Sequence, residues 1–125
     1  MINHVLLYVG SAIIIVWGIA HLAPTRSIVR GFGELSRDNR LTITMEWIAE
    51  GLTMCFIGCL VFFVTLFGGI GNYVTILVIR LCALMLIIMA ILSLLTGART
   101  SIVPMKICPV VKTVTAVLFL LGSYL

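Results

Sequence analysis

Long apolar runs alternate with short polar stretches along this chain. Four runs approach or exceed the roughly 20 mainly apolar residues that a helix needs to cross a bilayer. They cover about residues 4–22, 43–67, 73–97 and 107–125. The runs lack the period-2 alternation of a membrane barrel strand. The pattern predicts an all-α membrane protein, an antiparallel bundle of four transmembrane helices, because short connections place successive helices side by side in opposite directions.

The segment 24–39, between the first two spans, has a different pattern in which one helical face is apolar and the other charged. The apolar positions are Ile28, Val29, Phe32 and Leu35, and the charged positions are Arg26, Arg30, Glu34 and Arg37. A short amphipathic helix in the membrane interface is therefore expected, although Gly31 and Gly33 disfavour it and leave a solvated loop as the alternative. Asp38 or Asn39 is expected to cap the second span.

The composition favours a single integral membrane domain over residues 1–125. Hydrophobic residues make up 62% of the chain and charged residues 10%, and a soluble chain of this size would leave much of that surface in water. The first apolar run is expected to be a retained span, because no basic residue precedes it and it exceeds the core of a signal peptide. We expect a multi-pass protein of the cell (inner or plasma) membrane.

Basic residues are concentrated at one end of the predicted bundle, which we call the basic face and which holds the connections 23–42 and 98–108. Its basic residues are Arg26, Arg30, Arg37, Arg40, Arg99 and Lys106, with Lys112 just inside the fourth span. The GGIGN connection at 68–72 is uncharged. By the positive-inside rule the basic face is cytoplasmic and both termini are outside. The net charge of +4 then favours anionic lipid headgroups and the lipid bilayer as partners, with no reason to expect nucleic acid.

The second span has two distinct faces. Its first turns carry the polar residues Thr42, Glu46, Glu50 and Thr53 on one stripe, and the small residues Gly51, Cys55, Gly58 and Cys59 on the opposite stripe. Small residues let helices approach closely in lipid, so the second stripe is expected to pack against another helix. Glu46 is expected near the headgroups, and Glu50 lies one turn deeper.

A candidate site follows from the residues that reach the depth of Glu50 from the other helices. An ionised group inside a membrane tends to face the bundle interior and to have a partner. Two carboxylates one turn apart also favour proton exchange near neutral pH. The sequence therefore predicts a protonatable ligand-binding site near the basic face, with Trp47 as an interface anchor. Its members are Glu50, Glu46, His21, Arg99, Trp47 and Cys108.

Several of these residues also have a purely structural explanation. His21 can bond a carbonyl or a headgroup, and Cys108 can pack as a small hydrophobic residue. Glu46 can pair with Arg40 or Arg99. No metal or cofactor is predicted, because the Glu-x-x-His pattern of di-iron bundles is missing and a single histidine lies at this end.

Arg80 lies eight residues past Asn72, inside the third span. It is expected either to extend to the headgroups opposite the basic face or to pair with helix carbonyls or an anionic ligand.

Three functions remain open. The favoured one is small-molecule or ion binding or transport through a protonatable Glu50, with a possible homodimer completing the pathway. The alternatives are a membrane-embedded enzyme acting on a lipid or quinone-like substrate, with Glu50 and His21 as acid and base, or a non-catalytic accessory subunit. A transport path should stay polar past Thr53, but Ile57, Leu60 and Val64 follow.

Overall fold

The computed structural model describes all 125 residues and contains five α-helices and no strand. The helices are α1 (Ile2–Leu22), α2 (Thr25–Gly31), α3 (Arg37–Gly68), α4 (Tyr73–Leu95) and α5 (Val103–Tyr124), with a 3-10 turn at Gly97–Arg99. Helices α1, α3, α4 and α5 are long and apolar enough to cross a membrane. The predicted all-α bundle of four transmembrane helices is confirmed.

The four long helices form a ring in the order α1, α3, α4, α5. Helix α1 packs mainly against α3 and α5, and α4 packs mainly against α5. Neighbours run antiparallel, as shown by Gly122 near the end of α5, where a Cβ would lie 3.1 Å from the Asn3 carbonyl oxygen at the start of α1. Helices α3 and α4 contact each other least of the four adjacent pairs, so the ring is tight on three sides and looser on the fourth.

Glycines produce the close contact between α1 and α3. A Cβ on Gly58 would lie 2.9 Å from the Ser11 carbonyl oxygen, and one on Gly18 would lie 3.0 Å from the Gly51 carbonyl oxygen. Only residues without a side chain fit at this separation, which increases the van der Waals contact that holds helices together in lipid. The predicted packing role of the small-residue stripe is confirmed, except that Cys59 is exposed to the outside of the bundle.

The GGIGN connection holds α3 and α4 together at the end opposite the basic face. Gly69 has φ of 69°, a left-handed conformation that favours glycine. Asn72 then caps α4, its side chain accepting a hydrogen bond from the Val74 amide at 2.9 Å. Beside the turn, the Thr75 hydroxyl donates to the Val64 carbonyl at 3.5 Å. The two helices are therefore fastened at this end, and their looser contact lies toward the basic face.

The connection between α1 and α3 differs from its prediction in two ways. The amphipathic helix covers only Thr25–Gly31 instead of most of 24–39, and the chain after it turns at Gly33, where φ is 78°. The cap of α3 is Ser36, whose hydroxyl accepts from the Asn39 amide at 3.2 Å. A hydroxyl three residues before a free amide is the usual N-cap arrangement, and it starts α3 earlier than the expected cap at Asp38 or Asn39 would.

Arg80 binds the last turn of α5. Its Nε donates to the Ser123 hydroxyl and its Nη2 to the Ser123 carbonyl, both at 3.3 Å, and its guanidinium carbon lies 3.9 Å from the centre of the Tyr124 ring. A cation here satisfies a free carbonyl and complements the negative end of the helix dipole. Of the two expectations for Arg80, the structure shows pairing with a helix carbonyl.

Candidate functional site

An ion pair between Glu50 of α3 and Lys112 of α5 forms the centre of the candidate site. The Lys112 ammonium donates to Glu50 Oε1 and also to the Ser93 hydroxyl of α4, the latter at 2.7 Å. Lys112 is completely buried, whereas the Glu50 side chain keeps 32% of its surface exposed. A buried charge is tolerated only with such partners. This single side chain thus joins three helices.

Sequence reasoning missed Lys112 by assigning it to the charge asymmetry of the basic face. It lies nine residues past Val103, the start of α5, or about 14 Å along the helix axis. It shares a buried stripe with Cys108, Thr115 and Phe119. That depth and spacing could have identified it, because a lysine well inside a span is expected to have a buried partner. Ser93 offered no comparable signal, since a lone serine is common in membrane helices.

His21 and Trp47 form the second part of the site. The His21 Nε2 atom lies 3.6 Å from Glu50 Oε2, close enough to form an ion pair when the imidazole is protonated. The two rings stack with centroids 4.0 Å apart and planes 12° apart, and Trp47 Nε1 donates to the His21 carbonyl at 2.7 Å. Trp47 therefore fixes the end of α1 against α3. The His21 Nε2 atom itself is buried without a hydrogen-bond partner.

The remaining predicted residues are placed differently. Cys108 is buried, and its sulfur accepts a hydrogen bond from Trp17 Nε1 at 3.3 Å. Glu46 is exposed and pairs with neither Arg40 nor Arg99, because the only carboxylate in an ion pair is that of Glu50.

Arg99 was expected to reach Glu50, and the structure does not bring them together. Arg99 is exposed in the 3-10 turn at the edge of the bundle and forms no ion pair. Lys112 approaches the same carboxylate from within the bundle. Lys112 is therefore the cationic partner of Glu50, in place of the expected Arg99.

A cavity of about 740 Å³ opens beside this cluster, where α3 and α4 contact each other least. Its α3 wall is the predicted polar stripe, and its α4 wall is largely apolar. The main groups are Thr42, Glu46, Glu50 and Thr53 from α3, Met85, Met89, Leu92 and Ser93 from α4, and His21 and Cys108 at the inner end. Two carboxylates line the cavity, and no lysine or arginine does.

The polar lining ends at Thr53 in the direction of the opposite face. One turn further Ile57 is buried in the hydrophobic core, and Leu60 and Val64 pack against that core. The core thus separates the cavity from the end of the bundle that holds the termini. A solute in the cavity has no polar route through a single chain.

No group of three or more histidine, cysteine, aspartate or glutamate side chains is placed to hold a metal ion. No protein-family model matches the chain, and comparisons with curated proteins and with solved structures give no match either. The geometry of the site is therefore the basis for a functional proposal.

Proposed function

We propose that this membrane protein binds a small lipophilic cation in the cavity between α3 and α4. The observation that carries the proposal is the lining itself, which combines Glu46, Glu50 and an apolar α4 wall and includes no lysine or arginine side chain. Such a lining complements a ligand that has an apolar body and one positive charge. It belongs to the small-molecule binding class that the sequence favoured.

The two carboxylates have different tasks in this proposal. Lys112 balances the charge of Glu50 by direct contact. Glu46 has no cationic partner, so the wall keeps a net negative charge that a bound cation neutralises. Attraction between opposite charges is stronger in this partly dehydrated setting than in water. Glu46 supplies most of the charge recognition, and Glu50 fixes the inner end of the ligand.

The size and the apolar wall of the cavity suit a compact organic ion. A volume of about 740 Å³ lies within the roughly 300–1,000 Å³ that small-molecule sites occupy. Met85 and Met89 provide flexible thioether side chains that adapt to ligands of different outline. Because the cavity stops at Ile57, the proposed activity of one chain is binding, and movement across the membrane would require a second copy.

Matched probe ions test the proposal. Tetraphenylphosphonium and tetraphenylborate have nearly the same shape and opposite charges. With the protein in phosphatidylcholine nanodiscs, we expect saturable binding of tetraphenylphosphonium and, in separate samples, no saturable binding of tetraphenylborate. Glu46→Gln should weaken that binding by about three- to tenfold, the effect of one partly screened charge contact. Equilibrium dialysis against empty nanodiscs gives the affinity.

Glu34→Gln is the matched control, since Glu34 is an exposed carboxylate that does not line the cavity. The affinity of this variant for tetraphenylphosphonium should equal that of the unmodified protein. Saturable binding of tetraphenylborate with similar affinity, or equal effects of the two substitutions, would reject a cation site. If the neutral decylubiquinone binds saturably and the phosphonium does not, the enzyme with a quinone-like substrate becomes the better explanation.

A further inference from the structure

A second pocket, of about 310 Å³, lies between α2 and the start of α3. Arg26 and Arg30 from α2 and Arg40 from α3 line it, together with Thr25, Thr44, Val29 and Gly33. The two α2 arginines are four residues apart and so share one face of that helix. Ser36 caps α3, so Arg40 lies in the first turn of that helix. Three arginine residues from two helices therefore line one small pocket.

None of these arginines has a partner within the chain. Both ion pairs of the protein involve Glu50, and Arg80 is the only arginine whose side chain donates a hydrogen bond to another residue. Glu34 and Asp38 lie nearby in sequence, but neither carboxylate forms an ion pair. Three like charges around one pocket repel each other unless an anion lies among them. All three arginines are exposed, so solvent screens their charges when the pocket is empty, and a bound anion would offset their remaining repulsion.

The donor chemistry identifies the class of anion. The threonine hydroxyls are already engaged as donors, Thr25 to the Leu22 carbonyl at 2.6 Å and Thr44 to the Arg40 carbonyl at 2.7 Å. The guanidinium groups must then supply the hydrogen bonds. Their planar fork matches the oxygens of a phosphate, which it binds in bidentate fashion. Three such groups suit a doubly charged phosphate better than a singly charged one.

We propose that Arg26, Arg30 and Arg40 form a binding site for a phosphomonoester dianion. The site is separate from the cavity between α3 and α4, because no residue lines both pockets. The phosphate has two possible sources. A lipid such as phosphatidic acid presents it at the membrane surface, where the basic ends of α2 and α3 are expected to lie, and a soluble phosphorylated metabolite presents it from the aqueous side.

Lipid retention in mixed nanodiscs tests the site. With a minor fraction of phosphatidic acid or phosphatidylglycerol in phosphatidylcholine, native mass spectrometry should show one retained phosphatidic acid in preference to phosphatidylglycerol, whose phosphodiester carries one charge. The triple substitution Arg26→Gln, Arg30→Gln, Arg40→Gln should reduce this retention by about tenfold or more, because each charge-assisted contact contributes to affinity. Titration with glycerol 3-phosphate in pure phosphatidylcholine tests the soluble source.

A charge-matched control is available on the same face. Arg37, Arg99 and Lys106 are exposed, and none of them lines the pocket. Replacing all three by Gln removes the same charge and should change retention less than about twofold, since diffuse attraction to anionic lipid remains. Arg40→Gln alone provides a milder variant, and thermal unfolding establishes that each variant is folded.

Every outcome of these experiments either supports or overturns the proposed phosphate site. Loss of binding in the pocket variants, with retention in the control, supports it, and the arm that shows binding identifies the lipid or the soluble source. Equal loss in both triple variants would show general electrostatic attraction and overturn it. Equal retention of phosphatidylglycerol, or binding of neither phosphate ester, would also overturn it.

Discussion

Glu50 and Lys112 are unequal partners because one is fully buried and the other is not. Lys112 has no exposed surface, and the side chain of Glu50 keeps 32% of its own. Removing the carboxylate leaves a buried ammonium with only the Ser93 hydroxyl nearby. Removing the ammonium leaves a carboxylate that reaches the cavity and lies 3.6 Å from His21. The protein should therefore tolerate loss of the lysine better than loss of the glutamate.

We expect Glu50→Gln to lower the free energy of unfolding by about 3–5 kcal/mol, the usual cost of leaving a buried charge unpaired. Lys112→Met should cost about 1.5–3 kcal/mol, the usual range for hydrogen bonds of a charged group, because the bonds to Glu50 and Ser93 are lost while no charge is left buried without a partner. The double variant should be more stable than Glu50→Gln alone, since methionine removes the unpaired charge. Unfolding by SDS, followed through tryptophan fluorescence, measures all three. Additive effects in the double variant would contradict the direct coupling.

The contact between α1 and α3 depends on the absence of side chains at a few positions. A Cβ on Gly58 would lie 2.5 Å from the side chain of Ile15 and 2.9 Å from the Ser11 carbonyl oxygen. The backbone atom cannot move aside without shifting the helix. The separation of the two helices is thus set by glycine, and Trp47 holds their ends together at the basic face.

Gly58→Ala should destabilise the protein by about 1–3 kcal/mol, the range for overpacking an interior contact. Unfolding by SDS, followed through tryptophan fluorescence, measures this change in stability. Gly31→Ala is the control, because a Cβ on Gly31 meets nothing within 4 Å and alanine favours the helical backbone. It should leave stability unchanged or slightly raised. A Gly58→Ala protein as stable as this control would mean that the helices can separate at little cost.

The whole molecule is asymmetric along its long axis. The end at the GGIGN turn is closed by helix contacts, by the Asn72 cap of α4 and by Arg80 on the last turn of α5. The basic face has the looser contact between α3 and α4, the large cavity and the arginine pocket. Both proposed ligands therefore approach the same end of the bundle. Which side of the membrane that end faces decides where they come from.

The positive-inside rule predicts that this end is cytoplasmic. In a variant whose four native cysteines are replaced by serine or alanine, a cysteine at Gly71 should react with a membrane-impermeant maleimide in intact cells. A cysteine at Ser101 should react only after the membrane is permeabilised. The two positions are exposed on opposite ends of the bundle. The reverse labelling pattern would invert the orientation and place both proposed sites outside.

Much of the architecture could be predicted from local sequence. The limits of the four spans lie within a few residues of those predicted, because the length and polarity of an apolar run define a membrane helix directly. The exceptions are α3 and α5, which begin earlier in the sequence than predicted. The stripe of small residues on α3 identified its packing face for the same local reason. The amphipathic helix was predicted too long, since Gly33 allows the chain to turn before the periodic pattern ends.

Within the candidate site, the sequence determined the depth of Glu50 and His21 and the polar face that carries Glu50, because depth and face follow from position along one helix. The tertiary structure alone decided which cation meets Glu50. Arg99 and Lys112 were both available near the basic face, and the choice depends on how α5 is rotated where it packs against α1 and α4. That rotation is set by the sum of the packing contacts around the ring, and it cannot be predicted from the sequence of any one helix. The same packing opened the cavity between α3 and α4, the one adjacent pair joined by the shortest turn and held together the least.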